Sequence, residues 1–194
     1  MNDISKYEME IVLRILKSPE LAYNANSLAK EMKISSMGAL KIVKRLEKEN
    51  VLLAQQLGKA TFYKINNTSA YVLNYLSFLL RREVEQAHPY VKMWTNEIKK
   101  IKHIDSAILF GSVLKKYQEA NDVDVLLVTN KRGFSLVKKE IEEINAINIK
   151  KIHPLYQTKQ DLLKNIEKKD KVILNAIKGK IIVGEDFFIR MLVK

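Results

Sequence analysis

Apolar residues at the start of the chain recur at the spacing of two short helices. They follow mostly helical spacing over 7–17, and the helix is predicted to end there because the residue before Pro19 disfavours the α conformation. A second helix is predicted to begin near Asn26 and Ser27, which are good capping residues. The pattern therefore predicts two consecutive amphipathic helices.

A third helix is predicted from the serine corner at 35–36 to about residue 50, and two strands follow it. Its apolar residues, spaced by three, are expected to form an inward stripe: Met37, Leu40, Val43 and Leu46. Its basic residues fall largely on the opposite side: Lys41, Lys44, Arg45 and Lys48. The strands are predicted over 51–56 and 60–65, and Gly58-Lys59 forms a natural hairpin turn between them.

Three helices followed by a hairpin resemble the winged helix-turn-helix domains of bacterial and archaeal transcription regulators. The resemblance is carried by the Asn-Ser-Leu-Ala-Lys-Glu-Met segment, the serine corner, the basic third helix and the Gly-Lys turn. It implies that the third helix enters the major groove of DNA and that the hairpin touches phosphates. The residues expected to contact DNA are Ser36, Lys41, Lys44, Arg45, Lys59 and Lys64. A basic helix face that is merely solvated would show the same pattern.

Two further helices are predicted over 69–87 and 89–101. Both carry aromatic residues: Tyr71, Tyr75, Phe78, Tyr90 and Trp94. Packing between modules or against a second subunit explains such a stripe better than base stacking does. We expect a homodimer, since winged-helix proteins often bind two half-sites.

From residue 105 onward, short apolar strands alternate with amphipathic helices. Strands are predicted over 106–110, 123–129, 147–156 and 180–183, and helices over 135–145, 159–168, 171–178 and 185–192. This alternation predicts a small mixed sheet flanked by helices. The expected fold class is α+β (mixed α/β), with a winged helix-turn-helix at 1–67, a helical linker at 68–103 and a sheet domain at 104–194.

Charge and composition narrow the partners. The 194 residues include 34 Lys and Arg against 22 Asp and Glu, a formal net charge of +12. This excess favours an anionic partner such as DNA or a nucleotide, although a basic surface that only aids solubility has the same composition. Cysteine is absent, which excludes disulfide-stapled and zinc-cysteine modules. No signal peptide and no apolar run of roughly 20 residues occurs, so we expect a cytoplasmic protein with no membrane partner.

The segment with the clearest chemistry joins two predicted strands. The first strand runs into Gly111-Ser112, and the second opens with Asp122 and Asp124. Because strand side chains alternate faces, the two aspartates point the same way with Cα atoms about 6.5–7 Å apart, a separation that suits a divalent cation. Gly111 lets a phosphate approach the backbone, and Ser112 is expected to begin a helix whose amides bind anionic oxygens. The alternative is a simple turn with solvated aspartates.

This arrangement resembles the nucleotidyltransferase superfamily typified by DNA polymerase β, especially its minimal branch. Apolar-Gly-Ser, a spacer and Asp-apolar-Asp match from Phe110 to Asp124. The resemblance implies that Asp122 and Asp124 are catalytic and ligate Mg2+, and that Gly111 and Ser112 hold the phosphates of a nucleoside triphosphate. Lys115 is expected either to contact phosphate or to be solvated. The implied reaction transfers a nucleoside monophosphate to a hydroxyl and releases pyrophosphate.

One departure leaves catalysis undecided. Members of this superfamily usually carry a third carboxylate on a later strand, but the predicted strand 147–156 has no acid and presents Lys150, Lys151 and His153. Three alternatives would compensate: a base supplied by the acceptor, His153 acting as a base, or a carboxylate from a helix, namely Asp161 or one of Glu140, Glu142 and Glu143. The three histidines lack zinc-ligand spacing, so no zinc site is expected.

Two functions therefore remain open. One is a DNA-binding enzyme that transfers a nucleoside monophosphate to a protein or RNA hydroxyl with Mg2+. The other is a transcription regulator whose second domain is inactive and only binds nucleotide or mediates assembly. The intact Gly-Ser and aspartate pair favour the first function, whereas the missing acid favours the second.

Overall fold

The computed structural model describes residues 4–193 and divides the chain into two compact units. One comprises Met1–Leu79 with Leu192–Lys194, and the other Leu80–Met191. The domain boundaries predicted between residues 67 and 68 and between residues 103 and 104 stay predictions. No helix among the described residues is both long enough and apolar enough to cross a membrane.

The first unit has the element order of a winged helix. Its elements are α1 (Lys6–Lys17), β1 (Tyr23–Asn24), α2 (Ala25–Met32), α3 (Ser36–Lys48), β2 (Leu52–Leu57) and β3 (Ala60–Ile65). The strands form an antiparallel sheet in the order β1-β3-β2, so the hairpin β2–β3 forms the wing. The predicted helix-helix-helix-hairpin order is confirmed, and β1 is an addition that the sequence pattern did not predict.

Side-chain caps set the starts of the three helices. The Ser5 and Glu8 side chains bond to each other's backbone amides at the start of α1, and Asn24 and Ser27 do the same at α2. The Ser35 hydroxyl accepts from the Gly38 amide at 3.0 Å, which confirms the predicted serine cap of α3. Local chemistry therefore fixes where each helix begins.

The predicted inward stripe on α3 is wrong in its first half. The buried residues are Ala39, Val43 and Leu46, whereas Met37 is 61% exposed and Leu40 37% exposed. A constant step of three residues falls short of a full turn of 3.6, so the stripe drifts around the helix. The step of four from Ala39 to Val43 keeps the buried face in register. Met37 and Leu40 therefore belong to the outer surface.

An ion pair ties α3 to α1. The Arg45 guanidinium donates to the Glu8 carboxylate, whose side chain is 4% exposed, whereas the Arg45 side chain is 42% exposed. A carboxylate this deeply buried needs a compensating partner. Arg45, predicted as a DNA contact, therefore has a structural partner inside its own unit.

We expect Arg45→Ala to destabilise the first unit because it leaves the Glu8 carboxylate buried without its counter-ion. The expected loss in the free energy of unfolding is about 1–3 kcal/mol, moderated by the solvent exposure of Arg45. Urea denaturation followed by circular dichroism measures it. Lys41→Ala, an exposed change on the same helix, should stay within about 0.5 kcal/mol of wild type. Equal stability of the two variants would contradict the structural role of the pair.

The second unit is a four-stranded sheet with helices. After α4 (Ala70–Glu85), in which the division between the units falls, its elements are α5 (Pro89–Ile98), β4 (Ser106–Phe110), α6 (Val113–Lys116), β5 (Val123–Val128), α7 (Phe134–Ile147), β6 (Ile152–Gln157), α8 (Lys159–Glu167), α9 (Lys171–Ala176), β7 (Lys180–Val183) and α10 (Glu185–Leu192). The strand order is β6-β5-β4-β7, with only the β5–β6 pair parallel. The expected mixed sheet flanked by helices, and with it the α+β fold class, is confirmed.

The odd-numbered residues of β5 face the main core of this unit. Val123, Val125 and Leu127 are fully buried in one cluster with Trp94 of α5 and Ile141 of α7. Strand side chains alternate, so the even-numbered residues of β5 point to the opposite face. Asp124 therefore lies on the face opposite this cluster, together with Leu126 and Val128, which are also fully buried.

The strand predicted from residue 147 begins five residues later. Helix α7 continues to Ile147, and Ile147 and Ile149 are 76% and 99% exposed. The Asn145 amide bonds both backbone groups of Ile152, accepting from its N–H at 2.7 Å and donating to its carbonyl at 3.2 Å. This clamp sets the start of β6, and it is a contact that alternation cannot reveal.

Candidate metal centre and nucleic-acid interface

Three strands bring the candidate ligands to one edge of the second sheet. β4 pairs antiparallel with β5, and Phe110 lies opposite Asp124. The end of β4, at Gly111, therefore lies beside the start of β5, near Asp122. β5 pairs parallel with β6 so that Asp124 lies opposite His153. Cross-strand partners share a face of a sheet. The register therefore places His153 next to the aspartate pair.

Gly111 is required by the position of Asp124. Its φ is +80°, and a Cβ built there would lie 2.1 Å from Oδ2 of Asp124. A side chain at residue 111 would push the carboxylate out of place. In the structure this glycine makes room for the Asp124 carboxylate. Its predicted role in phosphate approach stays a prediction.

The donor atoms of Asp122, Asp124 and His153 all lie within 4.8 Å of one another. Nδ1 of His153 is 3.4 Å from Oδ1 of Asp124, and the two side chains are 74% and 24% exposed. Metal–ligand bonds of about 2.0–2.6 Å hold neighbouring donors about 3–4 Å apart, so little movement would bring these atoms around one divalent cation. Two carboxylates and an imidazole are also suitable donors for such an ion. The residues present therefore fit a divalent cation.

The two lysines that the sequence placed on this strand lie outside it. The Lys150 ammonium donates to the Ala120 carbonyl, and the Lys151 ammonium donates to the carbonyls of Asn145 and Asn148. Both residues precede β6, which begins at Ile152. Both ammonium groups are therefore held by backbone carbonyls outside the strand.

The helical carboxylates considered as replacements have other partners. Asp161 accepts a hydrogen bond from the Thr158 hydroxyl at 2.6 Å at the start of α8. Glu140 lies 2.9 Å from Nδ1 of His103 and accepts from the Lys102 amide. Over residues 4–193, the cluster thus contains two carboxylates and an imidazole rather than three carboxylates.

The predicted phosphate contacts follow β4 directly. Ser112 precedes α6, which is a single turn ending at Lys116, and the Ser112 carbonyl accepts from the amides of Lys115 and Lys116. The helix expected after Ser112 is therefore much shorter than a helix that would present a strong dipole. The Lys115 side chain is exposed.

In the first unit, three of the six predicted DNA contacts line one groove. Ser36, Lys44 and Lys59 border a cavity of about 370 Å3 between α2, α3 and the wing. Met37 and Leu40 line the same groove. Their spacing had indicated core positions, so they were not predicted as part of this surface. Lys41 and Lys64 are exposed outside this lining, and Arg45 pairs with Glu8.

Lys44 keeps its charge on this surface. It donates to Glu47 at 2.9 Å, and this hydrogen bond, followed by the nearby Tyr63 hydroxyl, raises the pKa of Lys44. The ammonium group is therefore positively charged at neutral pH and is paired with Glu47.

Comparison with known proteins agrees with this description of the second unit. Residues 94–187 match the family model described as Polymerase beta, Nucleotidyltransferase, so the chain carries a domain of that superfamily. The predicted resemblance is thereby confirmed. No curated protein matches the chain significantly.

Two solved structures are similar to about half of this chain at low sequence identity. The adhesin competence repressor AdcR from Streptococcus pyogenes has 14% identity and a TM-score of 0.37, over 52% of this chain and 69% of that one. A ZitR double mutant from Lactococcus lactis has 11% identity and a TM-score of 0.36, over 50% of this chain and 63% of that one. The winged-helix assignment of the first unit is based on its own element order and sheet.

We expect Gly111→Ala to displace the Asp124 carboxylate and to lower Mn2+ affinity about tenfold or more, the scale seen when ligand support is lost. Gly58→Ala is the matched control, because Gly58 also has positive φ (+59°) but nothing lies within 4 Å of its built Cβ. Backbone strain of about 1–2 kcal/mol is common to both variants. Electron paramagnetic resonance titration of free Mn2+ measures the affinity. An unchanged affinity in Gly111→Ala would show that the carboxylate moves without harm to the site.

Proposed function

We propose that this protein binds DNA through its winged helix and transfers a nucleoside monophosphate from a nucleoside triphosphate to a hydroxyl in its second unit. The observation that carries the proposal is the convergence of Asp122 and Asp124 beside Gly111 at the end of β4. The family match over 94–187 supports the same chemistry.

In the proposed site, Asp122 and Asp124 would hold a divalent cation such as Mg2+, and the cation would supply charge neutralisation at the phosphates. Gly111 would present backbone close to the phosphates, Ser112 would offer its hydroxyl and Lys115 a positive charge. These groups would position the triphosphate.

The proposed reaction is an in-line displacement. The acceptor hydroxyl oxygen, from a protein or an RNA, bonds to the α-phosphorus as the bond to the bridging oxygen of the β-phosphate breaks, and pyrophosphate leaves. The hydroxyl proton passes to a base or to water. Positioning and charge stabilisation account for most of the rate in such transfers.

A second candidate function has one observation in its favour. The cluster of the described residues has two carboxylates where active members of the superfamily usually have three. A site of this kind would bind nucleotide without turnover and would regulate the DNA-binding unit. Nucleotide binding is common to both candidates, and pyrophosphate release separates them.

The proposed DNA interface is the α3–wing surface of the first unit. Lys41 and Lys44 lie on the exposed side of α3, and Lys59 lies at the wing turn. Lysine contacts with phosphate position a protein on the duplex. Ser36, Met37 and Leu40 line the groove between them. We include Lys64 as a further phosphate contact and assign Arg45 mainly to its pair with Glu8.

We also propose a homodimer. Tyr71 and Phe78 of α4 are 59% and 48% exposed, and they lie seven residues apart on one helix face. An apolar aromatic stripe of this kind suits helix–helix contact. Two chains per DNA site would agree with a dimer that binds two half-sites.

Asp122→Asn and Asp124→Asn are expected to lower pyrophosphate release by about 100-fold or more, because several kcal/mol of charge stabilisation are lost with the cation. The assay supplies the four nucleoside triphosphates, Mg2+ and cell extract as the source of acceptor. Asp186→Asn, an exposed change on α10, should leave the rate unchanged. Wild-type binding of nucleotide without pyrophosphate release would replace the transferase by the nucleotide-binding regulator. Absence of nucleotide binding would contradict the transferase and the nucleotide-binding regulator and would leave a second domain that only mediates assembly.

Replacing Lys41, Lys44 and Lys59 together with alanine is expected to weaken DNA binding at every sequence. The slope of log affinity against log salt should become shallower by about 2.7, since each lost phosphate contact removes about 0.9. Fluorescence anisotropy on a labelled duplex measures both effects. Lys138, Lys139 and Lys168 are exposed lysines of the second unit, and their triple alanine variant removes the same charge. Equal losses in the two triple variants would show that only net charge matters.

The same titrations give the number of chains per DNA site. Two chains per site support the dimer, whereas one chain per site contradicts it.

A further inference from the structure

The position beside Asp124 on the neighbouring strand is filled by an imidazole. β5–β6 register pairs Asp124 with His153, and Nδ1 of the imidazole lies 3.4 Å from Oδ1 of the carboxylate. We propose that His153 is a third ligand of the cation held by Asp122 and Asp124, bonding through Nδ1. This inference rests on the proposed function, because that function places the cation between the two carboxylates.

The backbone holds His153 in a defined position. The residue before it, Ile152, is bonded through both backbone groups to the Asn145 side chain. The residue after it, Pro154, has a restricted φ and lies opposite Val125 in the sheet. A ligand held by a fixed strand loses little conformational freedom when it binds an ion. The imidazole therefore needs a side-chain rotation at most.

The charges around the site permit coordination by an imidazole. The nearest lysines along the chain, Lys150 and Lys151, donate to backbone carbonyls. Asp122 and Asp124 supply two negative charges, which balance a dication without a third carboxylate. A neutral imidazole adds a donor and no further charge. The site thus has three protein ligands and one negative charge fewer than a site with three carboxylates.

The donor set changes which cation is preferred. Oxygen donors suit Mg2+, Ca2+ and Mn2+, whereas imidazole nitrogen suits later divalent metals such as Co2+, Ni2+ and Zn2+. Replacing one oxygen donor by nitrogen should therefore shift the selectivity of this site away from Mg2+. We expect the ratio of Co2+ affinity to Mg2+ affinity to be higher than that of the same site with three carboxylates.

Mn2+ bound to the full-length protein provides a direct test of the ligand. Pulsed electron paramagnetic resonance should show modulation from a coordinated 14N nucleus in the wild type. His153→Asp should bind Mn2+ without that modulation. His103→Gln is the control, because His103 contacts Glu140 away from the cluster, and it should retain the modulation.

Calorimetry with Co2+ and with Mg2+ tests the selectivity. His153→Asp restores a three-carboxylate donor set at the same strand position, and the ratio of Co2+ to Mg2+ affinity should fall about tenfold or more. An unchanged ratio would overturn the inference.

The outcomes separate this inference from the proposed function. Mn2+ binding that is lost in Asp122→Asn but shows no 14N modulation in the wild type would overturn the role of His153 and leave the aspartate site intact. Mn2+ binding that is unaffected by Asp122→Asn would overturn both.

Discussion

The Asp124 carboxylate lies directly over Gly111, and this contact holds the candidate centre together. It needs the antiparallel register of β4 and β5, which sets Phe110 opposite Asp124. It also needs a residue without Cβ at the end of β4, since a built Cβ would lie 2.1 Å from Oδ2. Val123 and Val125, on the other face of β5, are completely buried in the core. Core packing on one face therefore places the carboxylates on the other.

Much of the fold follows from local patterns, and the errors have identifiable causes. Caps and turns are short-range chemistry, so the start of α3 and the hairpin at Gly58 could be predicted. The start of α2 was predicted near Asn26 and Ser27, whereas the structure caps this helix with Asn24 and begins it at Ala25. The predicted inward stripe on α3 is wrong in its first half because a step of three residues was extended too far along a helix with 3.6 residues per turn. The predicted start of β6 is wrong because the clamp between Asn145 and Ile152, which sets the observed start, is a tertiary contact. Alternation in Ile147-Asn148-Ile149 imitates a strand, although both isoleucines are exposed.

The residues of the candidate site also differ in whether a local sequence pattern could reveal them. Asp122 and Asp124 could be found because alternation within one strand places them on one face. His153 stands beside them through the parallel pairing of β5 with β6, and its position depends on where β6 begins. The sequence showed a histidine without zinc-ligand spacing, because the spacing of ligands from separate strands is set by the sheet.

The replacement of an acid by an imidazole bears differently on binding and on catalysis. Binding a triphosphate requires a cation and few negative charges that repel the phosphates. Two carboxylates can hold the cation and add only two negative charges. Transfer also requires a group that takes the acceptor proton, and a third carboxylate can serve that role as well as coordinate metal. In a neutral imidazole one ring nitrogen carries a hydrogen and the other carries the lone pair. If Nδ1 of His153 donates its lone pair to the cation, Nε2 carries the hydrogen, and neither nitrogen can accept a proton. Coordination by His153 therefore excludes this residue as the base for the acceptor hydroxyl, whose proton must pass to another group or to water.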